Sequence, residues 1–160
     1  MDIKRVLLAS DSFKECMTAK EACMAMEKGI KRVDKNIECI HVPMADGGEG
    51  TAQFLVDATG GTMHNCEVYG PMGDKVIASY GILGDGKTAV IEMAEASGIH
   101  LVNREERNPM IATTYGTGEL IKEALDKNVE KIIIGLGGSA TNDAGAGMLQ
   151  ALGVSLKDDN

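Results

Sequence analysis

The chain has 160 residues, of which 44% are hydrophobic, so it is long and apolar enough to bury a core without disulfides or structural metals. Its formal net charge of -8 excludes nucleic acid and anionic membrane surfaces as main partners, because both repel an acidic surface. The apolar run at residues 6–9 is too short for a signal peptide or a membrane span, and the four cysteines form no C-x-x-C pair. We therefore expect a cytoplasmic protein with reduced thiols.

The first 60 residues alternate between strand and helix signals. Residues 6–9 and 37–42 are short apolar strand candidates. Thr18, with Glu21 three residues later, forms a capping box for a helix over residues 18–32, and a second helix is predicted over residues 49–58. This order predicts a Rossmann-like parallel segment, whose ligand-binding loops lie at the carboxyl ends of its strands.

The pattern changes after residue 62. Residues 63–93 contain short strand candidates separated by Gly-Pro, Gly-Asp and Asp-Gly, which predicts hairpins. A helix capped by Thr117 is predicted over residues 117–127, and residues 129–138 form the strand that we expect to be the most buried. The predicted fold class is α/β, with a Rossmann-like parallel sheet segment followed by the start of a second α/β domain that contains hairpins.

Residues 81–88 read GILGDGKT and match the formal pattern of a phosphate-binding P-loop, G-x-x-x-x-G-K-[ST]. The motif works only between a buried strand and the N-terminus of a helix. Here the residues after Lys87 are β-branched, and Gly84-Asp85-Gly86 is typical of a turn between two strands. We interpret the match as a coincidence and keep a P-loop metabolite kinase as the second alternative function.

Polar residues follow three of the predicted strands. The loops read ASDSFKE at residues 9–15, MADGGEGT at residues 44–51 and GLGGSATNDAGAGM at residues 135–148. Glycine pairs let the backbone approach a ligand, and hydroxyls before a helix N-terminus suit a phosphate, although ordinary turn chemistry also explains the first two loops. The candidate site residues are Asp11, Ser12 and Lys14 in the first loop, Asp46, Gly47, Gly48 and Glu49 in the second, and Gly137, Gly138, Ser139, Thr141, Asn142 and Asp143 in the third. We expect the three loops to converge on one anion-binding crevice.

Four motifs carry a family resemblance. DSFKE, MADGGEGT, NPMIATTYGTGELI and IIIGLGGSATNDAGAGMLQALG occur in an order that resembles the bacterial glycerate kinase family, the two-domain type without a P-loop. The resemblance implies two α/β domains with the active site in the cleft between them, residues 1–65 joining a Rossmann-like domain and residues 66–160 beginning the second. Family members are longer, so we expect an N-terminal portion. Ala144 stands where the family usually has glycine, and Cys16 stands where serine is more usual.

The resemblance implies ATP-dependent phosphorylation of D-glycerate to a phosphoglycerate, with ATP and Mg²⁺ as cofactors. We predict that Asp143 or Asp11 accepts or orients the proton of the glycerate hydroxyl. Lys14 would neutralise the substrate carboxylate or a transferring phosphoryl oxygen. Asp46 or Glu49 would lie near Mg²⁺ or the substrate hydroxyls, without a dedicated protein cage for the metal.

The first alternative is a catalytically incompetent fragment or a small-anion-binding module, because one wall of the family's cleft would be absent. The sequence leaves open whether the 2- or the 3-phosphate is formed. It also leaves the oligomeric state open, and it is compatible with a homodimer.

Overall fold

The computed structural model describes residues 3–13 and 16–157. The chain divides into two compact units, Met1–Asp46 and Gly47–Asn160. Residues 47–65 therefore belong to the second unit of this chain, whereas the sequence analysis groups them with the first domain of the family. The domain boundary at residue 65 stays a prediction for the longer family proteins.

The first unit is a β-α-β segment consisting of β1 (Arg5–Leu8), α1 (Ala19–Val33) and β2 (Glu38–His41). The two strands pair in parallel. The thiol of Cys23, buried on α1, donates a hydrogen bond to the backbone oxygen of Leu8 at 3.2 Å and ties the helix to β1. The predicted capping box is confirmed, because the Glu21 amide donates to Thr18 Oγ1 at 3.2 Å and the Thr18 amide donates to Glu21 Oε2 at 2.8 Å.

The second unit contains a four-stranded sheet, with helices before its first strand, between its third and fourth strands, and after its last strand. Its elements are α2 (Thr51–Thr59), β3 (Thr62–Tyr69), β4 (Lys75–Ile82), β5 (Thr88–Glu92), α3 (Ala94–Ser97), two single 3₁₀ turns (Ile99–Leu101 and Arg104–Glu106), α4 (Tyr115–Leu125), β6 (Lys131–Gly135) and α5 (Ala146–Ala151). The strand order is β3-β4-β5-β6, antiparallel except for the parallel pair β5–β6. The predicted α/β fold class, a parallel segment followed by hairpins, is confirmed.

The core of the second unit lies on both faces of this sheet. On one face Ala89 and Ile91 of β5 pack in a cluster with Leu120 of α4. On the other face Val90 packs against α2. Because neighbouring residues of a strand point to opposite faces, all five residues of β5 are buried and this strand is the centre of the fold.

The expectation that residues 129–138 form the most buried strand is wrong. β6 is the last strand in the sheet order, and Ile133, Ile134 and Leu136 are 44%, 36% and 71% exposed. The apolar sequence KIIIGL is typical of a strand covered on both faces and both edges, whereas within residues 3–13 and 16–157 only β5 pairs with β6.

The expectation that Thr117 caps the helix predicted over residues 117–127 is also wrong. α4 begins at Tyr115, with Thr114 at the N-cap, and Thr117 is buried within the helix. The hydroxyls of Thr117 and Ser97 form a hydrogen bond of 2.8 Å, which satisfies two buried polar groups and joins α4 to α3. No helix in the part of the chain that the structure describes is both long and apolar enough to cross a membrane.

Candidate active site

The loop after β6 is held by backbone hydrogen bonds to the segment after β5. The Met93 amide donates to Gly135 O at 3.0 Å, and the Ile99 amide donates to Gly138 O at 2.9 Å. The Ala140 amide in turn donates to Ser97 O at 2.9 Å. The third predicted site loop is therefore fixed against the rigid end of the central strand rather than free in solvent.

Three backbone amides of this loop have no acceptor among the hydrogen bonds of the described residues. Among the described hydrogen bonds, none has the amide of Gly138, Ser139 or Asn142 as its donor. Gly138 and Asn142 are exposed, and Gly138 has φ +77°, a left-handed conformation that favours glycine. The hydroxyls of Ser139 and Thr141 lie 2.8 Å apart. Amides and hydroxyls arranged in this way can bind the oxygens of a phosphate.

Asp143 is the hydrogen-bonding centre of the loop. Its Oδ2 accepts from the Thr114 amide at 2.9 Å, the Thr114 hydroxyl at 2.8 Å and the Gly147 amide at 3.1 Å, and its Oδ1 accepts from the Gly145 amide at 3.1 Å. Burial raises the pKa of Asp143, but these hydrogen bonds outweigh it, so the pKa lies below its ordinary value. The carboxylate thereby joins the beginning of α5 to the beginning of α4.

A cavity of about 360 Å³ lies beside this carboxylate. Its lining includes Thr114, Thr117, Ser139, Thr141, Asp143 and Met148. The volume falls within the range of small-molecule pockets, and the lining also includes the apolar side chains of Met93, Ile134 and Leu136.

The second predicted loop meets the third backbone to backbone. The Gly137 amide donates to Gly47 O at 3.1 Å, and the Gly47 amide donates to Thr51 Oγ1 at 3.1 Å. A Cβ added to Gly137 would lie 2.7 Å from Gly48 Cα, closer than such atoms approach each other. Glycine is therefore required here for close packing of the two loops.

Glu92 is a polar residue of this region that the sequence analysis did not single out. It is 4% exposed at the end of β5, and its carboxylate accepts from the Ala52 amide at 2.7 Å and the Gly50 amide at 3.2 Å. Burial raises its pKa above the ordinary value, although these two hydrogen bonds act in the opposite direction. A carboxylate ending the apolar strand TAVIE was the available sequence signal.

The remaining predicted residues lie in the first unit or at the start of the second. Asp11 is exposed, and its Oδ1 accepts from the Ser12 amide at 2.7 Å. Asp46 is the last residue of the first unit, and both Asp46 and Glu49 are exposed. Lys14 lies outside the described residues.

The P-loop alternative is contradicted by the structure. Lys87 precedes β5, which pairs with β4 in an antiparallel hairpin, so no helix N-terminus follows the glycines. Lys87 Nζ lies 2.6 Å from Glu130 Oε1. The Asp85 carboxylate accepts from the Lys87 and Thr88 amides, both at 2.9 Å, and fills the turn where a P-loop would hold phosphate.

Comparison with known proteins supplies the family. The sequence profile described as "Glycerate kinase family" matches residues 6–160. The chain belongs to the glycerate kinase family. It is 60% identical to the glycerate kinase of Haemophilus influenzae over 154 residues, which are 96% of this chain and 41% of that protein. It is 53% identical to the glycerate 2-kinase of Escherichia coli over 156 residues, which are 98% of this chain and 41% of that protein.

A solved structure agrees with this assignment to the glycerate kinase family. The crystal structure of a Salmonella typhimurium LT2 protein assigned as glycerate kinase 2 matches with a TM-score of 0.81 and 50% identity. The match covers 97% of this chain and 42% of that protein. The chain thus spans about two-fifths of the length of the glycerate kinases to which it is similar.

Residue 144, where the family resemblance predicts a glycine, is strained. Ala144 has φ +52°, a left-handed conformation that costs a residue with a Cβ roughly 1–2 kcal/mol. We expect Ala144→Gly to increase the free energy of unfolding by about 0.5–1 kcal/mol, because glycine relieves this strain but costs more backbone entropy. Chemical denaturation measures the difference. Ala140→Gly, at negative φ, serves as the control and should destabilise, and a loss of stability in Ala144→Gly would contradict the prediction.

Proposed function

We propose that this protein, at the length of its relatives, is an ATP-dependent glycerate kinase that transfers the γ-phosphoryl group to a hydroxyl of D-glycerate and forms phosphoglycerate and ADP. The loop after β6 carries the proposal, because its unused amides and paired hydroxyls suit the oxygens of a phosphoryl group. The names of relatives that are 53–60% identical support the substrate. The name of the Escherichia coli relative favours the 2-hydroxyl as the acceptor.

Phosphoryl transfer depends mainly on positioning and on neutralising charge, so each candidate residue is proposed for one of these tasks. The amides of Gly138, Ser139 and Asn142 would bind phosphoryl oxygens. Lys14 would neutralise the glycerate carboxylate or a phosphoryl oxygen, and Ser12 would hydrogen-bond the substrate. Gly47 and Gly48 would bring backbone close to the substrate, with Glu49 beside its hydroxyls. The Gly137 amide, which donates to Gly47 O, would hold the two loops together, and the Thr141 hydroxyl would orient Ser139.

The hydrogen bonding distinguishes the two candidate aspartates. All four hydrogen bonds of Asp143 come from groups of its own unit, and a carboxylate with a lowered pKa is a weak proton acceptor. Asp11 accepts from the Ser12 amide through Oδ1, and we propose that its Oδ2 accepts from a substrate hydroxyl. We therefore favour Asp11 as the proton acceptor and Asp143 as a residue that positions the loop of residues 135–148, here called the phosphate loop.

Magnesium fits the proposal as an ion that arrives with the nucleotide. Residues 3–13 and 16–157 contain no group of three or more His, Cys, Asp or Glu side chains suited to hold a metal. Magnesium in kinases commonly uses one or two carboxylates together with substrate phosphates, and Asp46 is the candidate carboxylate. Bound Mg²⁺ would neutralise the charge of the phosphates.

The decisive experiment compares two polypeptides: this 160-residue chain and a version extended to the length of its relatives. We expect the extended protein to release ADP from ATP only when D-glycerate is present, and product analysis by ³¹P NMR to identify 2-phosphoglycerate. The short chain should be inactive. Its strand β6 exposes large apolar side chains, and we expect further parts of the longer protein to cover them and to complete the site. ATP hydrolysis that does not depend on D-glycerate, or no turnover by the extended protein, would reject the proposal. The alternative of a small-anion-binding module would then be retained.

A second experiment tests the hairpin lysine. We expect Lys87→Ala in the extended protein to retain kcat and KM within about twofold, because Lys87 pairs with Glu130 on the surface. The free energy of unfolding should fall by less than about 1 kcal/mol. The matched control is Lys75→Ala, whose Nζ lies 4.0 Å from Glu119 Oε1. A loss of activity by orders of magnitude in Lys87→Ala alone would contradict the prediction.

We propose a cytoplasmic location, which the four free thiols support, since thiols persist in a reducing compartment. The partners that we propose are the small molecules D-glycerate and ATP. The sequence is also compatible with a homodimer.

A further inference from the structure

We propose that Glu92 is a positioning residue of the glycerate kinase reaction, because its carboxylate holds the turn before α2 in register with the phosphate loop after β6. The inference rests on the proposed function, and it concerns a residue outside all three predicted site loops.

Helix α2 begins without a side-chain cap of its own. Gly50, at the N-cap, has φ +88° and no side chain that could accept from the first helix amides. Glu92 supplies the missing acceptor from another element, with Oε1 bound to the Ala52 amide at 2.7 Å and Oε2 bound to the Gly50 amide at 3.2 Å. The N-cap of α2 is therefore provided by a carboxylate forty residues along the chain.

Glu92 lies at the end of the sheet where β5 meets the loop after β6. Glu92 is the register partner of Gly135 in the parallel pair β5–β6. A Cβ on Gly135 would lie 2.5 Å from Gly47 O, so the backbones of the two loops are already as close as they can pack. The strand that carries Glu92 thus contacts the start of α2 through the Glu92 side chain, and it contacts the start of the loop after β6 through its backbone.

Burying a carboxylate at this position is energetically unfavourable. Glu92 is 4% exposed, and burial together with the neighbouring charges of Glu95 and Glu49 disfavours its ionised form. An uncharged residue would fill the same space at lower cost if packing were the only requirement. Two backbone hydrogen bonds, of 2.7 and 3.2 Å, explain why a carboxylate is useful here, since each oxygen accepts from one amide.

The test is Glu92→Gln in the protein extended to family length. Glutamine keeps the shape but has a single acceptor oxygen, so its NH₂ group must face one of the two backbone amides. We expect kcat/KM for D-glycerate to fall about tenfold, mainly through kcat, because one anchoring hydrogen bond is lost. The thermal midpoint should change little, since the lost hydrogen bond is offset by removal of a buried charge.

Glu119→Gln is the matched control. Glu119 also accepts from a backbone amide, that of Tyr69 at 2.7 Å, but the contact lies between α4 and β3. The control should leave kcat/KM within about twofold. Equal losses in both variants, or normal kcat/KM in Glu92→Gln, would overturn the inference.

Hydrogen exchange of the 160-residue chain separates this inference from the proposed function. We expect the amide of Gly50 or Ala52 that faces the glutamine NH₂ group to exchange faster in Glu92→Gln, and both amides to be unchanged in Glu119→Gln. If the extended wild-type protein turns over no D-glycerate, the proposed function fails, and with it any role of Glu92 in that reaction. Faster exchange would then retain only the anchoring of the turn, and unchanged exchange would overturn the anchoring as well.

Discussion

Asp143→Asn, made in the protein extended to family length, is expected to lower kcat/KM for D-glycerate by about 100- to 1000-fold. An asparagine side chain cannot reproduce the acceptor pattern, because its NH₂ group must face an amide or hydroxyl that now donates to the carboxylate. The remaining hydrogen bonds lose their charge assistance. The phosphate loop and the start of α4 should separate, and the free energy of unfolding should fall by about 2–4 kcal/mol.

The pH dependence decides which task Asp143 performs. A proton acceptor gives kcat an acidic limb that disappears in the variant, whereas a positioning residue leaves that limb in place at reduced amplitude. We expect the limb to be retained. The exposed residue Asp57, which accepts from Gln53 Nε2 at 2.7 Å, provides the control variant Asp57→Asn with near-normal kinetics. Near-normal turnover of Asp143→Asn would remove Asp143 from both tasks.

Stability offers an independent check on the same carboxylate. The folded-state pKa of Asp143 is lowered, so its contribution to stability is present above the unfolded pKa, about 3.9, and is lost as pH falls through the folded value. The difference in unfolding free energy between wild type and Asp143→Asn should therefore shrink below about pH 4. Urea denaturation at about pH 7 and about pH 3, on either side of this range, measures the change.

Local features of the fold could be predicted from the sequence because their partners lie within a few residues. The capping box joins Thr18 to Glu21, three residues apart. The turn at Asp85 lies between two strands that pair directly with each other. In both cases the residues that determine the structure are contained in one short window of sequence.

Features that depend on distant residues could not be predicted in this way. Thr114, rather than Thr117, begins α4, and its amide and hydroxyl bind Asp143, which lies 29 residues further along the chain. The exposure of β6 depends on its place in the sheet order, which its apolar sequence does not encode. Glu92 escaped notice for the same reason, because its amide partners belong to a helix that precedes it by 40 residues.

The candidate site likewise contains features that could be predicted from local sequence and features that could not. The glycine pairs marked the second and third loops, and the structure brings Gly47 and Gly137 into hydrogen-bond contact. The sequence did not indicate that Asp143 accepts hydrogen bonds from four protein donors, because the residue type alone does not show whether an aspartate is hydrogen-bonded within the protein. The first loop belongs to the other compact unit, and its part in the site stays a prediction.

Gly137→Ala is expected to lower kcat/KM of the extended protein by about 100-fold, because its Cβ would push the two glycine loops apart. The added atom would lie 2.7 Å from Gly48 Cα and 3.1 Å from Gly48 N, and both are backbone atoms that cannot rotate away. The hydrogen bond from the Gly137 amide to Gly47 O would lengthen or break. Overpacking of this kind should also reduce the free energy of unfolding by about 1–3 kcal/mol.

Gly29→Ala provides the matched control for this substitution. Gly29 lies within α1, and a Cβ there meets nothing within 4 Å. The control should stabilise the helix by about 0.5–1 kcal/mol and leave kcat/KM unchanged, since alanine is the better helix former. Steady-state kinetics and denaturation of both variants therefore separate a general effect of adding a methyl group from the specific effect of separating the loops. Normal kcat/KM in Gly137→Ala would mean that the loops need not touch for catalysis, and the backbone contact between Gly47 and Gly137 would then serve stability alone.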